Sequence, residues 1–322
     1  MQQFNSSVSN STSWNAERVA PSVVLGLCCL MGVPSNIAVI MVIVRNYKRE
    51  KFTLKLMLNL AVSDLLSLLA VPVSIYALLH GWSFGGILCK LFSYIFHCSL
   101  YSAVLTVTLM SVQLYVQVLY RKHWKRQHRK GERVLLVSLW VLACLLASAN
   151  IPTQDIIDKR NLQRCQRITR SDSEKVLVLL LETLLGFVVP FSILVTSYLC
   201  FHKKLKQTFF SRTRMTEDKA AKFRRITKLV ISIVVTFFIF WFPAHVINVL
   251  DISTTLLKES QPAVYEKLKT FRRASGDIAK TLTLINSCLN PFLYAFIYRR
   301  KKEQKRHHNA QRQQKDSELC NI

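Results

Sequence analysis

Seven apolar stretches, near residues 19–44, 54–79, 87–119, 133–152, 175–201, 223–250 and 275–298, constrain this chain more than any other feature. Each matches the roughly 20 apolar residues that a helix needs to cross a bilayer. Polar or helix-breaking residues interrupt them at particular places: Asn36, Asp64, Trp140, Pro190, Trp241-Phe242-Pro243 and Asn290-Pro291-Phe292-Leu293-Tyr294. An Asp or an Asn-Pro pair is expensive in hydrocarbon, so such residues are expected to face a shared interior and to serve a function. The spacing predicts an all-α membrane protein, a seven-transmembrane helix bundle.

Charge gives the orientation. The chain of 322 residues is 51% hydrophobic yet carries a formal charge of +26, so apolar and basic residues must be segregated. Segments 45–55, 121–133, 203–228 and the tail from Arg299 hold 30 of the 44 basic residues. An excess of Lys and Arg marks the cytoplasmic side, which puts the amino terminus outside and makes this a multi-pass plasma-membrane protein. The sequons at Asn5 and Asn10 fall on that outer side, where glycosylation takes place. No charged region followed by a short apolar core and a cleavage site precedes the first span, which is expected to act as its own insertion signal. Nucleic acid is not expected as a partner: the positive charge lies in short loops beside the spans, where anionic membrane lipids account for it.

The spans form one domain over 19–298, preceded by an outer tail of 1–18 and followed by a cytoplasmic segment of 299–322. The outer tail and the end of the inner one are polar enough to be disordered, and Arg299 to Lys305 reads as a short amphipathic helix on the inner leaflet. Cys28, Cys29, Cys98, Cys144, Cys200 and Cys288 lie inside spans as small hydrophobes, while Cys89 and Cys165 both face the oxidising side. Cys320, in the inner tail, is a candidate for palmitoylation. Pro72, Pro152, Pro190, Pro243 and Pro291 sit within or at the ends of spans, where each removes a backbone hydrogen bond and creates a bend.

Taken as a set, Asn36, Leu58-Asn59-Leu60-Ala61-Val62-Ser63-Asp64, Trp82-Ser83-Phe84-Gly85 before Cys89, Trp140, Pro190 with Tyr198, Phe237 with Phe240-Trp241-Phe242-Pro243, and Asn290 to Tyr294 carry a resemblance. The chain resembles the rhodopsin-like (class A) G-protein-coupled receptors over 19–305. Within that class it is most similar to leukotriene B4 and related chemoattractant receptors, through Gly81 to Gly85, Ser99 to Leu105, Glu182 to Phe191 and Phe240 to Asn248. The resemblance implies a Cys89–Cys165 disulfide, a ligand above Trp241, and a packing triad of Val104, Pro190 and Phe237 that rearranges on activation. It also implies that Tyr198 and Tyr294 turn toward a cytoplasmic cavity for a heterotrimeric G protein.

The pocket can be read from its residues as well. Fourteen basic residues fall on the outer side and would concentrate an anionic ligand, for which a carboxylate is the expected headgroup. Lys280, about three turns outward of Pro291, is the first candidate to pair with it. His97, Tyr101, Glu182, His245 and Asn248 are candidates to bind hydroxyls along an apolar chain. For His97 and His245 a hydrogen bond between helices is an equal alternative. The ligand expected is an acidic lipid of the leukotriene kind, with a chemoattractant peptide as the alternative.

Two departures from the family pattern bear on mechanism. Where the family has an acidic residue, Arg and Tyr at the inner end of span three, this chain has Gln113-Leu114-Tyr115. Leu114 has no donor for either a resting partner or a G protein. Coupling through the remaining cavity is one reading; a decoy or arrestin-type receptor is another, and a single-base Arg-to-Leu change is a third. The second departure is Ala103, where many relatives have a Ser that helps hold a sodium ion. Asp64, Asn286 and Asn290 still offer oxygens for one, unless Asp64 is protonated or held by Asn36 and Asn290 without a metal. No other cofactor is expected. An enzyme is not expected either, since no nucleophile–base or His-Glu-x-x-His arrangement occurs, and no repeated halves suggest a transporter.

Overall fold

Polarity runs inside out in this molecule. Asn36, Asp64, Ser63, Ser102 and Thr106 are fully buried, while Leu30, Ile87, Val137, Leu145 and Ile278 lie largely bare on the outer surface. Only a solvent of acyl chains suits such a surface. The computed structural model describes residues 6–45, 52–119, 128–159, 162–210, 217–272, 275, 276, 278, 279 and 281–293. Among these, six helices are long and apolar enough to cross a membrane, and a seventh helix runs over 281–293.

Span one is the helix Ser6–Arg45. It begins well inside the stretch expected to be a disordered tail, because no Gly or Pro interrupts residues 6–20. Span two is split, Phe52–Leu69 then Val71–His80. Pro72 has no N–H to give to the Leu68 carbonyl, which accepts instead from Cys29 Sγ at 3.7 Å, and the helix breaks at Ala70. Span three, Gly85–Leu119, is the most buried and touches spans two, four, five and six.

Span four, His128–Ser148, ends before the expected residue 152. Pro152 disfavours helical geometry at Ile151, and Asn150 turns back to bond the Ala147 carbonyl. Span five runs Asp172–Thr183, makes one π-helical turn over Leu184–Val188, then continues as Val189–Phe210. The widened turn lies just before Pro190, which lacks the N–H that would close a regular one. Span six, Glu217–Leu257, stays helical through Pro243 and reaches further outward than its apolar core.

Among the described residues, three apolar clusters hold the bundle. The largest joins Leu56 and Leu60, Val104 and Val107, Leu194, and Ile233, Phe237 and Trp241 from spans two, three, five and six. A second joins spans one, two and seven, and a third packs Cys98 and Tyr101 of span three on Ala143 and Ala147 of span four. Polar bonds add direction between helices: Asn59 donates to Thr106 Oγ1 at 2.7 Å and accepts from Trp140 Nε1 at 2.8 Å. Lys55 pairs with Glu132 at 2.6 Å across the inner ends of spans two and four.

Two outer-loop elements were not expected. Strands β1, Gln154–Lys159, and β2, Leu162–Arg167, form an antiparallel hairpin with Ile156 opposite Cys165. Their sequences lack the alternation of apolar and polar residues that marks a half-buried strand. Gly81, at φ +88°, turns the chain so that Trp82 N donates to the Gln163 carbonyl at 2.7 Å. A side chain there would be strained and would meet that same carbonyl at 3.1 Å. The second element is a helix over 262–272, between spans six and seven.

Candidate functional site

The outer pocket is built around an ion pair. The Cys89–Cys165 disulfide ties β2 to the outer end of span three and so fixes Arg167, two residues further on. Arg167 Nη1 donates to Glu182 Oε2 at 3.0 Å, Nη2 donates to Oε1, and Nη2 also donates to Asn150 Oδ1 at 2.6 Å. A guanidinium is suited to this two-pronged grip. Only 23% of the Arg167 side chain and 15% of the Glu182 side chain is exposed, so the pair sits in a low-dielectric setting. Burial alone would lower the Arg167 pKa, but the Glu182 carboxylate, helped by Tyr101 and Asp251, raises it above the ordinary value. Asn248 of span six reaches the same carboxylate, its Nδ2 3.4 Å from Glu182 Oε2 and 3.5 Å from Thr183 Oγ1.

Beneath the pair, the π-helical turn places Gly186 beside Tyr101 and His245. A methyl added at Gly186 would lie 3.6 Å from a ring carbon of each. His245 is buried, and neither of its ring nitrogens has a hydrogen-bond partner among the described residues. Its ring stacks on Phe187 at 4.8 Å and lies 6.2 Å from Trp241. Trp241 in turn stacks on Phe237 at 4.7 Å, within the cluster that holds Val104, and Pro190 is buried nearby in sequence to Leu194 of that cluster. Phe187, Phe191, Phe238 and Phe242 extend the rings into a column between spans five and six, with Phe191 and Phe238 only 4.4 Å apart.

The predicted ligand residues thus separate. Tyr101, Glu182, Trp241, His245 and Asn248 converge, and His97 lies within electrostatic reach of Glu182 while its Nδ1 is 2.7 Å from the Ser93 carbonyl oxygen of its own helix. Two of the basic residues at the mouth are paired: Arg167 is held by Glu182, and Arg272 Nη2 donates to Asp251 Oδ2 at 3.0 Å, with Nε 2.8 Å from Oδ1 but off the hydrogen-bond line. Lys280 lies outside the described residues. Sequence reasoning passed over Arg167 as one arginine among many, although its place two residues after a disulfide cysteine is a signal of a fixed position. Asn150 and Gly186 carried no local signal.

Deeper in the bundle, Asn290 Nδ2 donates to Asp64 Oδ2 at 2.7 Å, and Asn36 Nδ2 donates to the Ser287 carbonyl at 3.0 Å. Asn36 Oδ1, Asp64 Oδ1, Asn286 Oδ1 and Asn290 Oδ1 are buried without a donor among the described residues. Oxygens in that condition suit a small hard cation, so the donor set fits sodium. At the inner end of span three, Gln113 is buried and its Nε2 donates to Thr53 Oγ1 at 3.1 Å, a neutral tie to span two. Tyr115 is half-buried, and Tyr198 is 46% exposed. Pro291 is buried in the last helix. Asn5 and Tyr294 lie outside the described residues; Asn10 and Leu114 stand on the helices of spans one and three, their side chains outside that description.

A sequence model described as 7 transmembrane receptor (rhodopsin family) matches residues 35–294. Human leukotriene B4 receptor 1 is 30% identical over 278 residues, covering 85% of this chain and 75% of that receptor. The C3a anaphylatoxin chemotactic receptor of Danio rerio is 29% identical, covering 91% and 76%. The type-1 angiotensin II receptor B of Xenopus laevis is 28% identical, covering 83% and 73%.

Proposed function

Because the chain belongs to the rhodopsin family of seven-transmembrane receptors, and is therefore a receptor rather than an enzyme, we propose that it binds an extracellular acidic lipid like leukotriene B4 and signals to a heterotrimeric G protein. The observation that carries this reading is the polar head of the pocket, Arg167, Glu182, Asn150 and Asn248, set above an aromatic column in which the His245 ring nitrogens and Trp241 Nε1 are buried without a hydrogen-bond partner among the described residues. Such a layout suits an amphiphile with a carboxylate at one end and hydroxyls along an apolar chain. The incoming carboxylate would take over the Arg167 fork, Glu182 would accept from ligand hydroxyls, and His245 would gain its missing partner.

A ligand shifts a conformational equilibrium only by its difference in affinity between states. Repacking around Trp241 and Phe237, with span six swinging at Pro243, would open the inner face to the G protein. An amino terminus outside, carrying glycans at Asn5 and Asn10, completes the topology of this reading. Asp64, Asn286 and Asn290 would hold a sodium ion, whose positive charge would offset the carboxylate in the resting bundle.

A peptide ligand is the second reading, favoured by the two acids at the mouth, Glu182 and Asp251, each able to exchange its arginine for a basic group of the ligand. A receptor that binds without coupling, or that engages arrestin alone, is favoured by Leu114. Competition binding with a panel of eicosanoids and formylated peptides, followed by nucleotide exchange on reconstituted G protein, tests all of these. Displacement by acidic lipids that is lost in Arg167→Ala supports the main reading; displacement by peptides alone overturns it.

A further inference from the structure

We propose that Cys98 and Cys144 form a redox couple which a membrane-dissolved hydroperoxide converts from two thiols to a disulfide, clamping span three to span four. Their sulfurs lie 3.2 Å apart, although 46 residues separate them in the chain. Fully buried Ala143 and Ala147 let the two helices approach closely there, so the sulfurs are held together by packing. A disulfide bond is about 2.05 Å long, which leaves only about 1 Å for the side chains to close.

Access comes from the lipid side. Cys144 lines a groove of about 560 Å³ with Tyr94, Trp140, Val141, Leu145 and Ser148. Val141 and Leu145 are more than half exposed, so a molecule entering this groove does so from the acyl-chain region rather than from water.

The oxidant is a lipid hydroperoxide, ROOH. Cys144 sulfur attacks the terminal peroxide oxygen and the O–O bond breaks; the alcohol ROH leaves with the thiol proton, and Cys144 becomes a sulfenic acid. Cys98 sulfur then attacks Cys144 sulfur. The S–O bond breaks, the S–S bond forms, and water leaves with the Cys98 proton. Two thiols lose two electrons, which reduce one peroxide to an alcohol and one water. Cys98 lies one turn from Tyr101, so the clamp would fix the wall of the ligand pocket while leaving the outer Cys89–Cys165 staple untouched.

The test uses the full chain in bilayer discs containing linoleoyl hydroperoxide or, as control, the corresponding hydroxy lipid. After exposure the protein is unfolded in detergent, every remaining thiol is alkylated so that native burial has no influence, and digested peptides are identified by mass spectrometry. The linked Cys98–Cys144 peptide is expected to rise about tenfold with the hydroperoxide, because two sulfurs held together react as one molecule. In Cys98→Ser, Cys144 should be trapped as a sulfenic acid that dimedone captures; in Cys144→Ser, Cys98 should remain alkylated. Retention of the Cys89–Cys165 linkage reports that each variant has folded. Full alkylation of both cysteines after hydroperoxide treatment of the wild type overturns the proposal, as does equal linkage in the hydroxy-lipid control.

Discussion

Arg167, carried by the outer hairpin, holds Glu182 of span five through both of its terminal nitrogens. One contact therefore couples a loop to the helix that contains the π-helical turn, and through Asn248 to span six as well. A ligand carboxylate would have to compete with an internal one for the same fork. Entry of the ligand and release of span five would then be a single event.

Removing one member of this pair leaves the other buried and unpaired, which typically costs about 3–5 kcal/mol. Arg167→Ala and Glu182→Gln are each expected to lower the thermal midpoint of the purified receptor. The double variant should recover part of that loss, and a double-mutant cycle on thermal midpoints measures the coupling. Strictly additive losses would mean that the contact contributes nothing.

Gly186 faces a gap between Tyr101 and His245, with room for a methyl at ordinary contact distance. Gly186→Ala should therefore keep ligand affinity within a few-fold, whereas Gly186→Phe should reduce it at least about tenfold, a loss near 1.4 kcal/mol. Saturation binding on both variants checks this, with cell-surface quantity as the control for folding.

Gln113 bonds Thr53, so no acidic partner waits at that position for an arginine. On the coupling reading, the wild-type chain stimulates nucleotide exchange when ligand is added, and Leu114→Arg increases the response. Should the wild type stay silent while Leu114→Arg responds, the native chain is a receptor that binds without coupling.

On the proposed sodium reading, the Asp64, Asn286 and Asn290 oxygens that lack a partner among the described residues would hold an ion that stabilises the resting bundle. Replacing sodium chloride with N-methylglucamine chloride is then expected to raise agonist affinity. Asp64→Asn should remove that dependence, since it takes away the charge that attracts the ion. Competition binding at several salt concentrations reads both effects; a sodium response that survives in Asp64→Asn would place the ion elsewhere.

Membership of the class was legible in the chain itself, because span length, loop charge and the positions of Asp64, Trp241, Pro243 and Asn290 are properties of local sequence. A bilayer reads such features one segment at a time. Which side chains meet inside the bundle depends instead on the rotation and depth of each helix relative to its neighbours, and single segments do not encode that. Only the folded chain decided that Arg167 takes Glu182, that His97 Nδ1 meets the Ser93 carbonyl while the His245 nitrogens have no hydrogen-bond partner among the described residues, and that Cys98 faces Cys144. The outer hairpin escaped sequence reasoning for a related reason. Its strands are held by each other, by a disulfide and by the carbonyl that Trp82 reaches, rather than by an apolar face of their own.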